Sequence, residues 1–226
     1  MKMLSIYLAL VFALFAATFA VAQTSDKTDT SDQPTSGALA EAVFAGGCFW
    51  CVEADFEKLP GVIEAISGYT GGHVKNPTYH QVGRGRTGHF EAAKIIYNPA
   101  RISYEQLLNY YWHHIDPTDG GGQFCDRGPT YRTAIFATPA QWDIALRSKQ
   151  KLEESQILPG PVKTQILPLE PFYKAEKYHQ DYYKKNPLRY HYYRRGCGRD
   201  KRIRQVWRKE KTRKDRAHKD KDSNNP

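Results

Sequence analysis

The chain has 226 residues, four cysteines and a formal net charge of +9. That length is enough for one well-buried domain, so the fold does not depend on disulfide staples. The charge does not mark a nucleic-acid binder: from Arg199 to Pro226 there are 12 Lys/Arg against 5 Asp/Glu, about +2 belongs to the rest, and the basic run lacks interleaved aromatics.

Leu4 to Ala22 is almost unbroken apolar sequence after Lys2 and ends in Ala20-Val21-Ala22. An apolar run with a small-x-small ending reads as a signal peptide over residues 1–22, with an uncleaved membrane anchor as the alternative. The expected location is therefore outside the cytosol, in the periplasm. Residues 23–38 are Thr, Ser, Asp and Gln with little to bury, and read as a disordered linker. Residues 39–198 form the folded domain. Residues 199–226 read as a solvated, disordered basic tail, able to make weak contact with an anionic surface.

Within the domain, Glu41–Ala45 reads as a strand and Cys48 to about Lys58 as a helix, which Leu59-Pro60-Gly61 stops. Val62–Tyr69 alternates as a strand, and Thr70 to Gly88 is a long glycine-rich loop. Phe90–Tyr97 is the next strand. Ser103 N-caps a helix carrying Leu107, Leu108, Tyr111 and Trp112. Asp116 to Gly122 is a second long loop, Tyr131–Thr138 a strand, and Pro139 opens a helix to about Ser155. Val162–Leu169 reads as a strand and Phe172–Lys185 as a helix. The first six elements run β-α-β-β-α-β. This order predicts an α+β fold, the ferredoxin-like split-βαβ two-layer sandwich, with a C-terminal extension of helix and coil.

Gly46-Gly47-Cys48-Phe49-Trp50-Cys51 stands where a strand turns into a helix. A sulfur at a helix N-terminus meets the positive end of the dipole and free N–H groups, which predicts a nucleophilic thiolate at Cys48. Phe49, Val52 and Phe56 fall on one apolar stripe. Trp50 falls with Glu53 and Glu57 on a polar face and predicts a ligand-contacting wall, the alternative being cover by a neighbouring loop. Glu91 shares a strand face with Ala93, Ile95 and Tyr97. A carboxyl there is held neutral by desolvation and can donate a proton, unless it pairs with Arg84 or Arg86. Tyr79, Tyr131 and Asp126 lie in or beside the glycine-rich loops and are weak signals singly. The histidines show no ligand spacing, and Cys48/Cys51 lack a second CxxC or His pair, so no metal site is expected.

These residues resemble the A-type peptide methionine sulfoxide reductases. The resemblance covers about Glu41 to Tyr193. It rests on Gly46-Gly47-Cys48-Phe49-Trp50, Gly68-Tyr69-Thr70-Gly71-Gly72, Asn76-Pro77-Thr78-Tyr79, Thr87-Gly88-His89-Phe90-Glu91, Asp116-Pro117-Thr118, the run Asp126 to Arg132, and Tyr178-His179-Gln180-Asp181-Tyr182. It implies reduction of the S epimer of methionine sulfoxide, free or in oxidised proteins, by a monomer with no bound cofactor. It implies Cys48 as nucleophile, Phe49 and Trp50 as the wall for the methyl group, and Glu91 as proton donor. Tyr79 and Tyr131 would hold the sulfoxide oxygen, and Asp126 would fix the polar side. Cys48 would become a sulfenic acid, then a disulfide reduced by a thioredoxin-like donor.

Many members carry Gly where this chain has Cys51, so two resolving thiols compete. Cys51 is favoured by its fixed proximity, and Cys197 would act second. Cys125 reads as a passive neighbour, the alternative being that it pairs aberrantly in an oxidising compartment. Two other readings stay open at this level: a dithiol–disulfide oxidoreductase, from the CxxC, and a non-catalytic surface-binding module, from the basic tail.

Overall fold

The computed structural model describes residues 37–223, with side chains described over 37–216. The signal-peptide expectation and nearly all of the expected linker lie outside the described residues.

The core is a six-stranded sheet. Strands β1 (Ala40–Gly46), β2 (Val62–Thr70) and β3 (Phe90–Tyr97) follow the expected pattern, with helix α1 (Phe49–Phe56) between the first two. A short helix α2 (Tyr79–Gly83) precedes β3, and α3 (Tyr104–Trp112) follows it. Then come the small hairpin β4 (Gly122–Gln123) and β5 (Asp126–Arg127), a 3-10 turn over Pro129–Tyr131, β6 (Thr133–Ala137) and α4 (Pro139–Glu154). The spatial order of the four long strands is β6-β1-β3-β2, all neighbours antiparallel. That is the order of a split-βαβ sandwich, in which each helical crossover leaves room for one strand between the two it joins. Strand β7 (Gln165–Pro168) adds to β6 in parallel at one edge, and β8 (Tyr173–Lys174) adds to β2 at the other.

Period-two alternation separates the sheet faces. Ala42, Phe44, Ala93, Ile95 and Ile135 join Val52, Phe56, Leu107, Leu108 and Tyr111 in the main core beneath the helices. Val43, Ala45, Phe90, Ala92 and Phe136 face the other way. Phe44 stacks between Phe56 and Tyr111, with ring centroids 5.2 and 4.9 Å away. Ser103 caps α3 as expected, with Gln106 completing a capping box.

Three expectations are corrected. The first long loop contains α2, capped by Thr78 with Gln81 at N3; the Thr-x-x-Gln signature was there to be read. Phe172–Lys185 is not one helix. It begins as β8, crosses a turn in which Asp181 is left-handed at φ 54°, and becomes helical only in α5 (Tyr182–Lys185). The sheet edge captures its start, where Tyr173 pairs with Tyr69. The Gln180 side chain then bonds both the N–H and the carbonyl of Ser67. Pro187 ends α5 but also opens α6 (Pro187–Gly196). Finally, the expected disordered tail is helical, as α7 (Arg199–Val206) and α8 (Arg208–Ser223). Val206 and Trp207 are buried against the main core, with Ile203 beside them. Trp207 stacks on His113 at 4.1 Å. Three apolar residues at i, i+3 and i+4 are enough to dock a charged helix.

Candidate active site

Gly47 makes the site's first turn. Its φ is +82°, and a Cβ there would stand 2.6 Å from the Gln123 Cβ, so only glycine fits. The turn delivers Cys48 to the N-cap of α1. Cys48 and Cys51 are both buried, unbonded thiols, close enough to shift one another's pKa.

Cys48, Phe49, Trp50, Tyr79, Glu91, Asp126, Tyr131 and Tyr193 line one small cleft of about 270 Å³. Every expected member of the reacting centre is there. The cleft admits the end of one unbranched side chain and little more. A wider cleft of about 830 Å³ between α3, α4 and α8 contains no cysteine.

Each wall has a structural cause. Glu91 comes from β3, is 2% exposed and forms no ion pair among the described residues, Arg84 and Arg86 included. The backbone N–H of Phe49 donates to its Oε2 at 3.0 Å. Burial still dominates and pushes the carboxyl up to about 8. The Tyr131 phenol faces the same cleft as Glu91 and Tyr79 and acts to lower both their pKa values. Tyr79 starts α2, and its backbone N–H is held by Glu176 at 2.9 Å. Burial pushes its phenol up to about 12, and Tyr131 is raised for the same reason. Both hydroxyls therefore keep their protons as donors. Asp126, on β5, accepts from the Tyr193 hydroxyl, and both line the cleft with Cys48.

Three expectations about α1 change. Phe49 leaves the core stripe and packs with Tyr69, Val82 and Ala175 beside the cleft; Val52 and Phe56 alone enter the main core. The polar face under Trp50 is covered: Glu53 is 1% exposed and bonds the Ser67 hydroxyl and the Asp181 N–H. Trp50 lies flat on Tyr182, ring centroids 3.7 Å apart, and donates to His179 Nδ1 at 3.0 Å. It both lines the cleft and packs under the segment around α5. Third, burial acts on the Cys48 sulfur against the helix N-terminus. The N–H expected to favour its sulfur goes to Glu91 instead, and burial raises Cys48. Cys51 is lowered to about 7, first through its neighbour Cys48 and then through Arg199 and Arg194.

These arginines were not anticipated. Arg194, on α6, bonds Asp55 at 2.8 Å. Arg199 is 2% exposed and donates to the Gly46 carbonyl at 3.1 Å and the His114 carbonyl at 2.8 Å. Asp55 is one helical turn after Cys51, so both cations lie under the Cys51 face. Tyr193 was missed as well. Its i+4 relation to Cys197 and the Pro187 start of α6 were the available signals. Cys197 is not a free thiol: it is disulfide-bonded to Cys125, which is therefore no passive neighbour.

A family model described as peptide methionine sulfoxide reductase matches residues 40–211. The chain belongs to the peptide methionine sulfoxide reductase family. It is 51% identical to the peptide methionine sulfoxide reductase MsrA 2 of Caulobacter vibrioides, over 92% of this chain and 99% of that one. To the MsrA of Bacillus subtilis it is 53% identical, over 74% of this chain and 94% of the relative. Among solved structures, methionine sulfoxide reductase A of Corynebacterium diphtheriae superposes with a TM-score of 0.60 at 34% identity, covering 70% of this chain and 78% of that one. Members of this family are peptide-methionine (S)-S-oxide reductases, and this chain is an oxidoreductase of that type.

Proposed function

We propose that Cys48 attacks the sulfur of an (S)-methionine sulfoxide whose methyl group rests against Phe49 and Trp50. The observation that carries this is the cleft itself: a thiol, a neutral carboxylic acid and two protonated phenols converge on a space the size of a side-chain tip. Glu91 gives its proton to the sulfoxide oxygen as the new S–S bond forms, and Tyr79 and Tyr131 hold that oxygen. The Cys48 proton passes to Cys51, its neighbour on the first turn of α1. Collapse of the adduct moves the hydroxyl to Cys48 and releases methionine, reduced by two electrons. Tyr193 and Asp126 orient the Cys48 sulfur.

Cys51 then attacks the Cys48 sulfenic acid, forming the Cys48–Cys51 disulfide and releasing water. Cys197 cannot take this step while it is bonded to Cys125. A thioredoxin-like dithiol reduces the disulfide, and no bound cofactor takes part. The apolar run ending in Ala20-Val21-Ala22 supports an exported, periplasmic enzyme and hence a reductant in that compartment.

The test is a single-turnover assay with dabsylated methionine sulfoxide, the two sulfur epimers given separately. Methionine forms from the S epimer only, and the oxidised protein shows a Cys48–Cys51 link by mass. No methionine from the S epimer rejects the reading.

A further inference from the structure

We propose that the Cys125–Cys197 disulfide is a positioning element of the reductase site: it clamps α6 to the β4–β5 hairpin so that Tyr193 and Asp126 stay against Cys48, and it carries no electrons in turnover. The proposal rests on the assignment of Cys48 as nucleophile.

The geometry is a ladder with two rungs. Cys125 directly precedes Asp126 on the hairpin. Cys197 is the residue after α6, and its N–H donates to the Tyr193 carbonyl at 2.9 Å. The disulfide and the Tyr193–Asp126 hydrogen bond therefore join the same helix to the same hairpin, side by side. One rung is covalent. The other lies in the wall of the Cys48 cleft, which Tyr193 and Asp126 both line.

The hairpin needs such a clamp. Its turn is Phe124-Cys125, and Phe124 is left-handed at φ 57°, a conformation that an aromatic residue disfavours. β4 and β5 are two residues each, so the ladder alone holds little. Two tertiary contacts fix the turn: the disulfide at Cys125, and the Arg199 guanidinium lying 4.7 Å over the Phe124 ring. Both come from the segment Cys197-Gly198-Arg199. Without the disulfide, the hairpin and the end of α6 are free to separate, and Tyr193 is carried with them.

The pair is also unsuited to resolving the sulfenic acid. A disulfide has no thiol to attack with, and Cys51 is a free thiol on the helix that Cys48 caps. Cys125 is exposed, so a strong reductant reaches this bond from solvent.

The experiment is a double-mutant cycle on the full chain, pairing C125S/C197S with Tyr193→Phe, read as single-turnover methionine formation from dabsylated (S)-methionine sulfoxide. The clamp predicts about tenfold slower methionine formation in C125S/C197S. Tyr193→Phe then adds less than twofold on top of it, because both changes remove the same restraint. Alkylation of Cys48 in C125S/C197S shifts to higher pH, as it does in Tyr193→Phe. Equal single-turnover rates with and without the disulfide would overturn the proposal. So would additive losses, which mark a general effect on folding.

If C125S/C197S does not fold, the native protein serves instead. Its two-thiol and four-thiol fractions, counted by alkylation and mass, are compared, and the four-thiol fraction is the slower by the same factor. Equal rates there are again fatal. Failure of the native two-thiol protein to form methionine rejects the assignment of Cys48 and the clamp together.

Discussion

Cys48 and Cys51 stand one turn apart at the start of α1, buried and unbonded. Cys125 and Cys197 come from segments 72 residues apart and are joined. The first pair lies between a protonated carboxyl and buried arginines. The second ties a surface hairpin to the end of a helix. Cysteine count and spacing do not distinguish a working pair from a bracing one. What distinguishes them is what surrounds each sulfur: a substrate-sized cleft with a proton donor for one, backbone segments in need of anchoring for the other.

The sharpest way to break that distinction is to remove one sulfur from each pair. Cys48→Ser lowers methionine formation more than about a thousandfold, because the nucleophile is gone. Cys125→Ser leaves the reaction running at about a tenth of the rate, measured in the same assay. Comparable losses would mean that both pairs carry the chemistry.

Next in size is Glu91→Gln. The amide keeps the shape and can still accept the Phe49 N–H, but it has no acidic proton. The expected loss in kcat/KM is about 10²- to 10³-fold. The same residue sets the alkaline limb of the pH profile. Its carboxyl is held at about 8, so the proton is present below that pH and lost above it. Activity should fall about tenfold per pH unit beyond the break, and Glu91→Gln should lack the break.

Cys51→Ser separates the two halves of the cycle. Single-turnover methionine formation slows by less than about fivefold, since the nucleophile and acid remain. Steady-state turnover with a dithiol protein donor falls by about tenfold or more, and trapping with dimedone finds the sulfenic acid on Cys48. A fully active steady state would hand the resolving role to another thiol.

The smallest effect is on stability. Glu91 is raised from its ordinary range near 4.3, so its contribution to folding is fully present at low pH. It declines as pH rises towards 8, because ionisation is easier in the unfolded chain. Thermal melts of Glu91→Gln and wild type should agree at pH 5, with the variant about 3 °C higher at pH 8. An unchanged gap would mean that Glu91 is solvated in the native state.

Much of this was readable in advance, for identifiable reasons. Alternation in Val62–Tyr69 and Phe90–Tyr97 gave two of the central strands, and their order with the intervening helices gave the sandwich. Glu91 could be placed on the helix-facing side of the sheet by counting in twos from Ala93 and Ile95. The Gly-Gly-Cys turn marked the nucleophile. Reading failed where a segment's partner is distant in sequence. Phe172 looked helical because local spacing cannot see a sheet edge. Val206 and Trp207 looked like leftovers of a charged tail because their cover, α3 and α4, is some 50 to 100 residues earlier.

The sequence by itself determined the sheet order, the position of Cys48 and the family, since these rest on local periodicity and contiguous motifs. The tertiary structure alone decided that Glu91 is buried without an ion pair, that Tyr193 lines the Cys48 cleft with Arg199 buried behind the Gly46 carbonyl, and which cysteines are bonded. Those outcomes depend on burial and on contacts between distant segments, and desolvation and pairing act through space rather than along the chain.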